Sequence, residues 1–134
     1  MDNTFRLIIA QLNARAGDLA GNAKKVRKAF KTAQKLNANY IAFPEMFVFN
    51  GGTIDQKKQS AEYIPNGKTS QTLSQFASSN NVCIHGGSIY EHADDKVSNT
   101  SVIFNKHGEM TVSYTHLRAH ETEADLVCRL LLEK

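Results

Sequence analysis

The chain has 134 residues, of which 16 are Lys or Arg and 13 are Asp or Glu, so its net charge is +3 with neutral His. This length suits one domain. A hydrophobic fraction of 41% is typical of a globular protein and excludes collagen-like, coiled-coil and disordered classes. Because the charges are spread along the chain, we expect neither a nucleic-acid nor a membrane partner.

The apolar runs are short. Runs such as Leu7–Ala10 and Leu130–Leu132 fall far below the roughly 20 residues that a membrane helix needs. The N-terminus lacks the basic start and long apolar stretch of a secretory signal. We therefore expect a cytoplasmic protein, in which Cys83 and Cys128 stay reduced.

The first half of the chain predicts a strand, a helix and a second strand. Residues 5–12 are apolar on both parities, which is typical of a central strand buried on two faces. Asp18 is suited to cap a helix with an apolar stripe at steps of three or four residues. The stripe consists of Val26, Phe30, Ala33 and Leu36 or Asn37. Residues 39–43 form the second strand, which Pro44 stops because proline cannot donate to a central ladder.

The second half predicts another helix. A turn at Pro65–Gly67 precedes it, and Thr69 or Ser70 is suited to cap it. Its inward side chains are Leu73, Phe76 and Ala77.

Three strands complete the predicted order. They are Val82–His85, Asn99–Phe104 and Met110–Tyr114. The first ends at Gly86-Gly87, and tight turns at Asp94–Lys96 and Lys106–Glu109 separate the others. The order β-α-β-α-β-β-β predicts a layered α/β domain whose strands are parallel at first and antiparallel later.

Glu45 is the most informative side chain, because it directly follows a buried strand. Ligands gather at the carboxyl ends of strands in α/β sheets. We expect Phe43, Met46 and Phe47 to form a mostly apolar pocket around the carboxyl group, where partial desolvation favours its neutral form and suits it to proton transfer. The residues alone leave a second interpretation open, a carboxylate that caps a loop or pairs with a lysine.

The sequence predicts no metal or cofactor site. His116, His120 and Glu121 fail the zincin pattern, since Ala124 stands where a histidine is needed. Cys83 and His85 lack a second ligand pair at matching spacing. The glycine pair is not followed by the Lys-Ser/Thr of a phosphate loop.

Five blocks of the sequence, in order, resemble the N-terminal half of the nitrilase, or carbon-nitrogen hydrolase, superfamily. The blocks are Phe5–Leu12 with Gly17-Asp18 and Asn22, Tyr40–Phe47, Ile64–Gly67, Gly86–Ile89 with Glu91, and Ser98–Phe104 with Gly108-Glu109. Each block alone is a weak signal, but together they cover residues 5–112 in the family's order. The resemblance implies an αββα sandwich, here truncated to its N-terminal part.

The resemblance also implies a Glu-Lys-Cys constellation that hydrolyses amides, nitriles or carbamoyl groups through a thioester. Glu45 matches the family's general base. The family's lysine lies in a Tyr-Arg-Lys-x-His-Leu pattern, where this chain reads Tyr114–Arg118 without lysine. Cys128 lies in a predicted helix over residues 125–132, and we interpret it, like Cys83, as a small core residue rather than a nucleophile.

Residues 113–134 look foreign to the family and resemble translated adapter sequence. We therefore expect an incomplete carbon-nitrogen hydrolase domain over residues 5–112 and a non-native tail over residues 113–134. The catalytic Lys and Cys then belong to a part outside this sequence. As written, the chain is expected to be inactive and poorly stable alone.

Three functions remain open. The Ile64–Gly67 and Gly86–Ile89 blocks favour an ω-amidase-like branch that acts on dicarboxylate monoamides. Gln11–Asn13 with Gly17–Asn22 resembles instead the glutaminase domain of glutamine-dependent NAD synthetase. The missing lysine favours a fragment that only binds or assembles. In the two enzymes the partner is a small amide, and an intact family member is expected to be a homo-oligomer.

Overall fold

The computed structural model describes residues 4–118 as a five-stranded mixed sheet with three helices. The strands are β1 (Leu7–Ile9), β2 (Tyr40–Ala42), β3 (Cys83–Ala93), β4 (Lys96–Phe104) and β5 (Met110–Arg118). The helices are α1 (Leu19–Lys35), α2 (Ile54–Ser60) and α3 (Lys68–Asn80). The strands lie in chain order, parallel from β1 to β3 and antiparallel from β3 to β5. The predicted α/β class is confirmed.

Helix α1 follows the predicted pattern. The Asp18 carboxylate accepts a hydrogen bond from the Gly21 N–H at 2.8 Å, which satisfies one of the free donors at the helix start. The stripe Val26, Phe30 and Ala33 is buried. Leu36, placed on the same stripe by its spacing, follows the end of the helix and is exposed. As in the other described helices, α1 has no apolar segment long enough to cross a membrane.

Among residues 4–118, strand β1 lies at the edge of the sheet, so the predicted central position is wrong for the described residues. It pairs with β2, with Leu7 opposite Tyr40 and Ile9 opposite Ala42. Ile8 packs against the core, whereas Leu7 is 51% and Ile9 74% exposed. Apolar side chains stand on both faces of β1. Within residues 4–118, however, other elements cover only one of these faces.

Helix α2 has no counterpart among the predicted elements. Thr53 Oγ1 accepts a hydrogen bond from the Gln56 N–H, and the Thr53 N–H donates to Gln56 Oε1. This reciprocal pair is a capping box, a local signal that could have revealed the helix. Its seven residues include no buried side chain, so hydrophobic periodicity gives no sign of it.

Helix α3 begins at Lys68 behind Gly67, so the predicted caps Thr69 and Ser70 are wrong. The Glu62 carboxylate accepts hydrogen bonds from the Thr69 N–H at 2.8 Å and from Thr69 Oγ1 at 2.6 Å. A carboxylate here complements the positive end of the helix dipole. The inward side chains are the predicted Leu73, Phe76 and Ala77.

Strand β3 continues through Gly86-Gly87, where the sequence predicted its end. Its register with β4 shifts between His85 and Ser88, and Gly87 has φ +50°. The pair therefore forms a β-bulge, which bends a strand without ending its ladder. The hairpin predicted at Asp94 is confirmed.

Strand β5 runs across the predicted boundary between residues 112 and 113, with Val102 of β4 opposite Ser113. The turn before it is confirmed. Asn105 Oδ1 accepts hydrogen bonds from the N–H groups of His107 and Glu109. Cys128, His120 and the predicted helix around Cys128 lie outside the described residues.

Helices α1 and α3 pack on one face of the sheet and not on the other. The covered face contacts them through Ile41, Ile84, Val102 and Phe104. The opposite face, called here the open face, carries one row of side chains in register across all five strands. The row consists of Ile9, Ala42, His85, Ile103 and Val112. Residues 4–118 thus supply one sheet and one helical layer of the expected sandwich.

We expect the chain to self-associate through the open face, because exposed apolar side chains beside an open strand edge favour contacts between copies. Ile9→Lys should shift the chain toward monomer in size-exclusion chromatography with light scattering. As a control, Ile54→Lys changes a 57% exposed residue on α2 and should leave the mass unchanged. A monomeric parent chain, or equal effects of both variants, would contradict this role.

Candidate active site

Glu45 lies just beyond the carboxyl end of β2, where the sequence places it. The Phe43 N–H still donates to the His85 carbonyl at 2.9 Å, so the ladder holds the chain up to this residue. Pro44 then interrupts the pairing with β3, because it has no N–H to donate. The carboxylate therefore stands at the edge of the sheet where ligands of α/β proteins bind.

Strand β3 fixes the backbone on both sides of Glu45. A Cβ atom on Gly87 would lie 1.9 Å from the Pro44 carbonyl oxygen, so only glycine permits this approach. The Met46 N–H donates to the Ser88 carbonyl at 3.0 Å and to Ser88 Oγ at 3.2 Å. Met46 has φ +50°, which costs a side-chain-bearing residue about 1 kcal/mol. Such strain persists where surrounding contacts over-determine the backbone, and it is frequent at functional sites.

Asn99 of β4 contacts the carboxylate directly. Its Nδ2 group donates to Glu45 Oε1 at 2.6 Å. In the sheet, Asn99 lies opposite Tyr90 of β3. The bulged strand and its neighbour thus hold the two sides of one site.

The Glu45 side chain is exposed, so the expected apolar pocket is wrong for the described residues. Phe43 and Phe47 are buried in the main core, where their rings stack. Met46 joins a second cluster with Tyr90 and its neighbours. Because all three apolar neighbours turn into the interior, none of them covers the carboxylate.

The charge of Glu45 affects the pKa of Tyr90. Burial raises the pKa of the Tyr90 phenol, and the negative charge of Glu45 raises that pKa further. On the other side, Lys57 Nζ lies 6.0 Å from the centre of the Tyr90 ring. Glu45, Asn99 and Tyr90 are named here the Glu45 cluster.

Cys83 and His85 are placed on the open face rather than in the Glu45 cluster. They stand opposite Tyr40 and Ala42 of β2. Burial raises the pKa of Tyr40, and Cys83 raises it further. His85 Nε2 lies 3.1 Å from Ser101 Oγ. Cys83 is a half-buried free thiol outside both hydrophobic core clusters, so its interpretation as a core residue is not confirmed.

Asn99 is the functional candidate that sequence reasoning missed as an individual residue. It belongs to the quoted block Ser98–Phe104, but its partner lies 54 positions away, beyond the reach of local periodicity. Within residues 4–118, no group of three or more His, Cys, Asp or Glu side chains is placed to hold a metal ion.

A family model described as carbon-nitrogen hydrolase matches residues 6–130. The chain belongs to the carbon-nitrogen hydrolase family. Omega-amidase NIT2 of Mus musculus is 30% identical over 132 residues, which are 98% of this chain and 46% of that protein. Glutamine-dependent NAD(+) synthetase of Rhodobacter capsulatus is 40% identical over 55 residues, 41% of this chain and 10% of that protein. The chain thus spans less than half the length of these relatives.

Solved structures of other proteins share this fold. Nit3 of Saccharomyces cerevisiae, a member of branch 10 of the nitrilase superfamily, superposes with a TM-score of 0.71 at 23% identity. The match covers 84% of this chain and 44% of that one. At 23% identity the similarity concerns the fold alone. It confirms the architecture expected from the five sequence blocks.

Gly87→Ala should destabilise the chain strongly, because the new methyl group meets the Pro44 carbonyl and the backbone has positive φ. Gly17 is the matched control, since its φ is +70° and nothing lies within 4 Å of a Cβ atom there. Gly17→Ala should cost about 1 kcal/mol and Gly87→Ala about 2 kcal/mol more. Urea denaturation followed by circular dichroism measures both, and equal losses would contradict the close approach.

Glu45→Gln should lower the pKa of Tyr90, because a nearby negative charge disfavours the tyrosinate and its removal relieves that effect. Burial should still keep this pKa above the ordinary tyrosine value. Carbon-13 NMR titration of labelled tyrosine rings measures it. Glu109→Gln removes a carboxylate that Asn105 contacts elsewhere and should leave Tyr90 unchanged. An unshifted Tyr90 in Glu45→Gln would refute the coupling.

Proposed function

We propose that Glu45 is the general base of an amidohydrolase that cleaves a non-peptide carbon-nitrogen bond in a small carboxamide and releases ammonia. The observation that carries this proposal is a single carboxylate at the carboxyl end of β2. The Gly87 and Ser88 contacts fix its backbone, and Asn99 orients it. Membership in the carbon-nitrogen hydrolase family supports the reaction class.

The proposed chemistry is acyl transfer through a thioester. Glu45 takes the proton of a cysteine thiol, and the thiolate attacks the amide carbon. The carbon-nitrogen bond breaks as Glu45 returns the proton to the departing nitrogen, which leaves as ammonia. Glu45 then takes a proton from water, whose oxygen attacks the thioester. The carbon-sulfur bond breaks, the carboxylic acid leaves, and Glu45 returns the proton to the departing thiolate. A lysine ammonium stabilises the oxyanion in both halves of the reaction.

The lysine and the nucleophile of this scheme are assigned to a part of the intact enzyme beyond the incomplete domain. The sequence has no lysine between Lys106 and Lys134. Cys83 lies among the side chains of the open face, opposite Tyr40. We further propose that residues 113–134 are a non-native tail, that the chain alone is inactive, and that the intact enzyme is a cytoplasmic homo-oligomer. The family match that continues to residue 130 and the pairing of β5 with β4 up to Arg118 count against the first of these proposals.

A dicarboxylate monoamide is the proposed substrate. The similarity to an omega-amidase extends over 98% of this chain, and the Ile64–Gly67 and Gly86–Ile89 blocks favour the same branch. The glutaminase domain of an NAD synthetase is the second candidate, supported by 40% identity over 55 residues. A chain that only binds or assembles is the alternative that the missing lysine favours.

Ammonia release tests the proposed enzyme. The gene should be expressed with its native downstream reading frame and assayed on a dicarboxylate monoamide, on glutamine and on a nitrile. We expect turnover of the monoamide, and Glu45→Gln should reduce it at least about a hundredfold, the size of a lost general base. Residues 1–134 alone should release no ammonia above the buffer rate.

Glu109→Gln is the matched control for this assay. Glu109 accepts a hydrogen bond from Asn105 at 2.7 Å, much as Glu45 does from Asn99, but it lies in the turn before β5. Its substitution should leave turnover unchanged. Near-normal ammonia release by Glu45→Gln would overturn the base assignment, and preference for glutamine would favour the second candidate.

A further inference from the structure

We propose that Asn99 is the positioning residue of this site and holds the Glu45 carboxylate for proton transfer. The inference rests on the proposed function of Glu45. Asn99 Nδ2 donates to Glu45 Oε1 at 2.6 Å. The contact leaves Oε2 of the same carboxylate outside this bond, so one oxygen is held while the other is available to exchange a proton.

The bonding of Asn99 is one-sided. Its Oδ1 atom is buried and has no hydrogen-bond partner among the described residues. A buried acceptor without a partner lowers stability. The amide cannot relieve this by rotating, because a flip would turn Oδ1 toward the acceptor oxygens of Glu45. The side chain thus holds the Glu45 carboxylate and does not add to the stability of the sheet.

A second asparagine–glutamate pair in the same chain shows the contrast. Asn105 donates to Glu109 Oε2 at 2.7 Å, but its Oδ1 also accepts from the N–H groups of His107 and Glu109. Both ends of that amide stabilise the turn before β5. A polar side chain kept for the fold has its groups satisfied in this way, and Asn99 does not.

The sheet restrains the backbone of Asn99. It lies within β4, opposite Tyr90 of β3 and opposite His116 of β5, so strands flank it on both sides. Glu45 lies in a connection outside the ladder. A rigid donor on a central strand therefore restrains a carboxylate on a loop, the arrangement that precise proton transfer requires.

The stability test uses residues 1–134. Asn99→Leu removes the unsatisfied oxygen and keeps the number of side-chain heavy atoms, and the urea midpoint should stay the same or rise. Asn105→Leu should lower the midpoint, because two backbone donors lose their acceptor. A clear loss of stability in Asn99→Leu would show a structural role and overturn the proposal.

The contact itself is tested by NMR of the same chain. Glu45→Gln should shift the side-chain amide signals of Asn99 and leave those of Asn105 in place, and Glu109→Gln should do the reverse. Unmoved Asn99 signals in Glu45→Gln would overturn the proposal whether or not the intact protein is an amidase.

The catalytic test uses the intact gene product. Asn99→Leu should lower kcat by about tenfold to a hundredfold, the order expected for a misplaced reacting group, with little change in KM. In Asn99→Asp two carboxyl groups face each other, so kcat should fall at neutral pH and recover toward lower pH as one takes a proton. Asn105→Asp should match the parent at every pH.

The outcomes separate the two proposals. If the parent enzyme has no amidase activity, the function fails, and the positioning role fails with it even where the NMR contact is present. If the parent is active and Glu45→Gln is inactive, but both Asn99 variants keep the parental kcat and pH profile, only the role of Asn99 is refuted.

Discussion

The close approach between the Pro44 carbonyl and Gly87 is the constraint on which the site depends. A Cβ atom at Gly87 would come within 1.9 Å of that carbonyl oxygen, so the bulge in β3 must present glycine there. The same bulge offers Ser88 to the Met46 N–H. With the residues before and after it held, Glu45 has little freedom except at its own side chain, which Asn99 restrains.

Local pattern predicted the elements whose stability is local or amphipathic. Helix α1 was predictable from Asp18, Val26 and Phe30, because capping and a one-sided apolar stripe are properties of a single helix. The edge position of β1 was not predictable in this way, since an apolar run is the same whether the strand pairs on one side or on both. Gly86-Gly87 was mistaken for a strand end because a bulge is defined by the register of a partner strand, not by its own residues.

The candidate site was likewise predictable only where the signal is local in the sequence. Glu45 could be singled out from its place after a buried strand and from family resemblance, although its exposure was predicted wrongly. The contact with Asn99 spans 54 residues, and only the sheet registers bring the two together. The nucleophile, the lysine and the status of residues 113–134 stay predictions.

The strand order also bears on how the chain folds. Strands β3, β4 and β5 form a meander of short connections, whereas β1 and β2 reach their parallel neighbours across long helical crossovers. Contacts between residues distant in sequence close a larger loop and form more slowly. We therefore expect the meander, with Asn99 and the bulge in place, to form before β2 docks on it. Glu45 would then reach its partner in a late folding step.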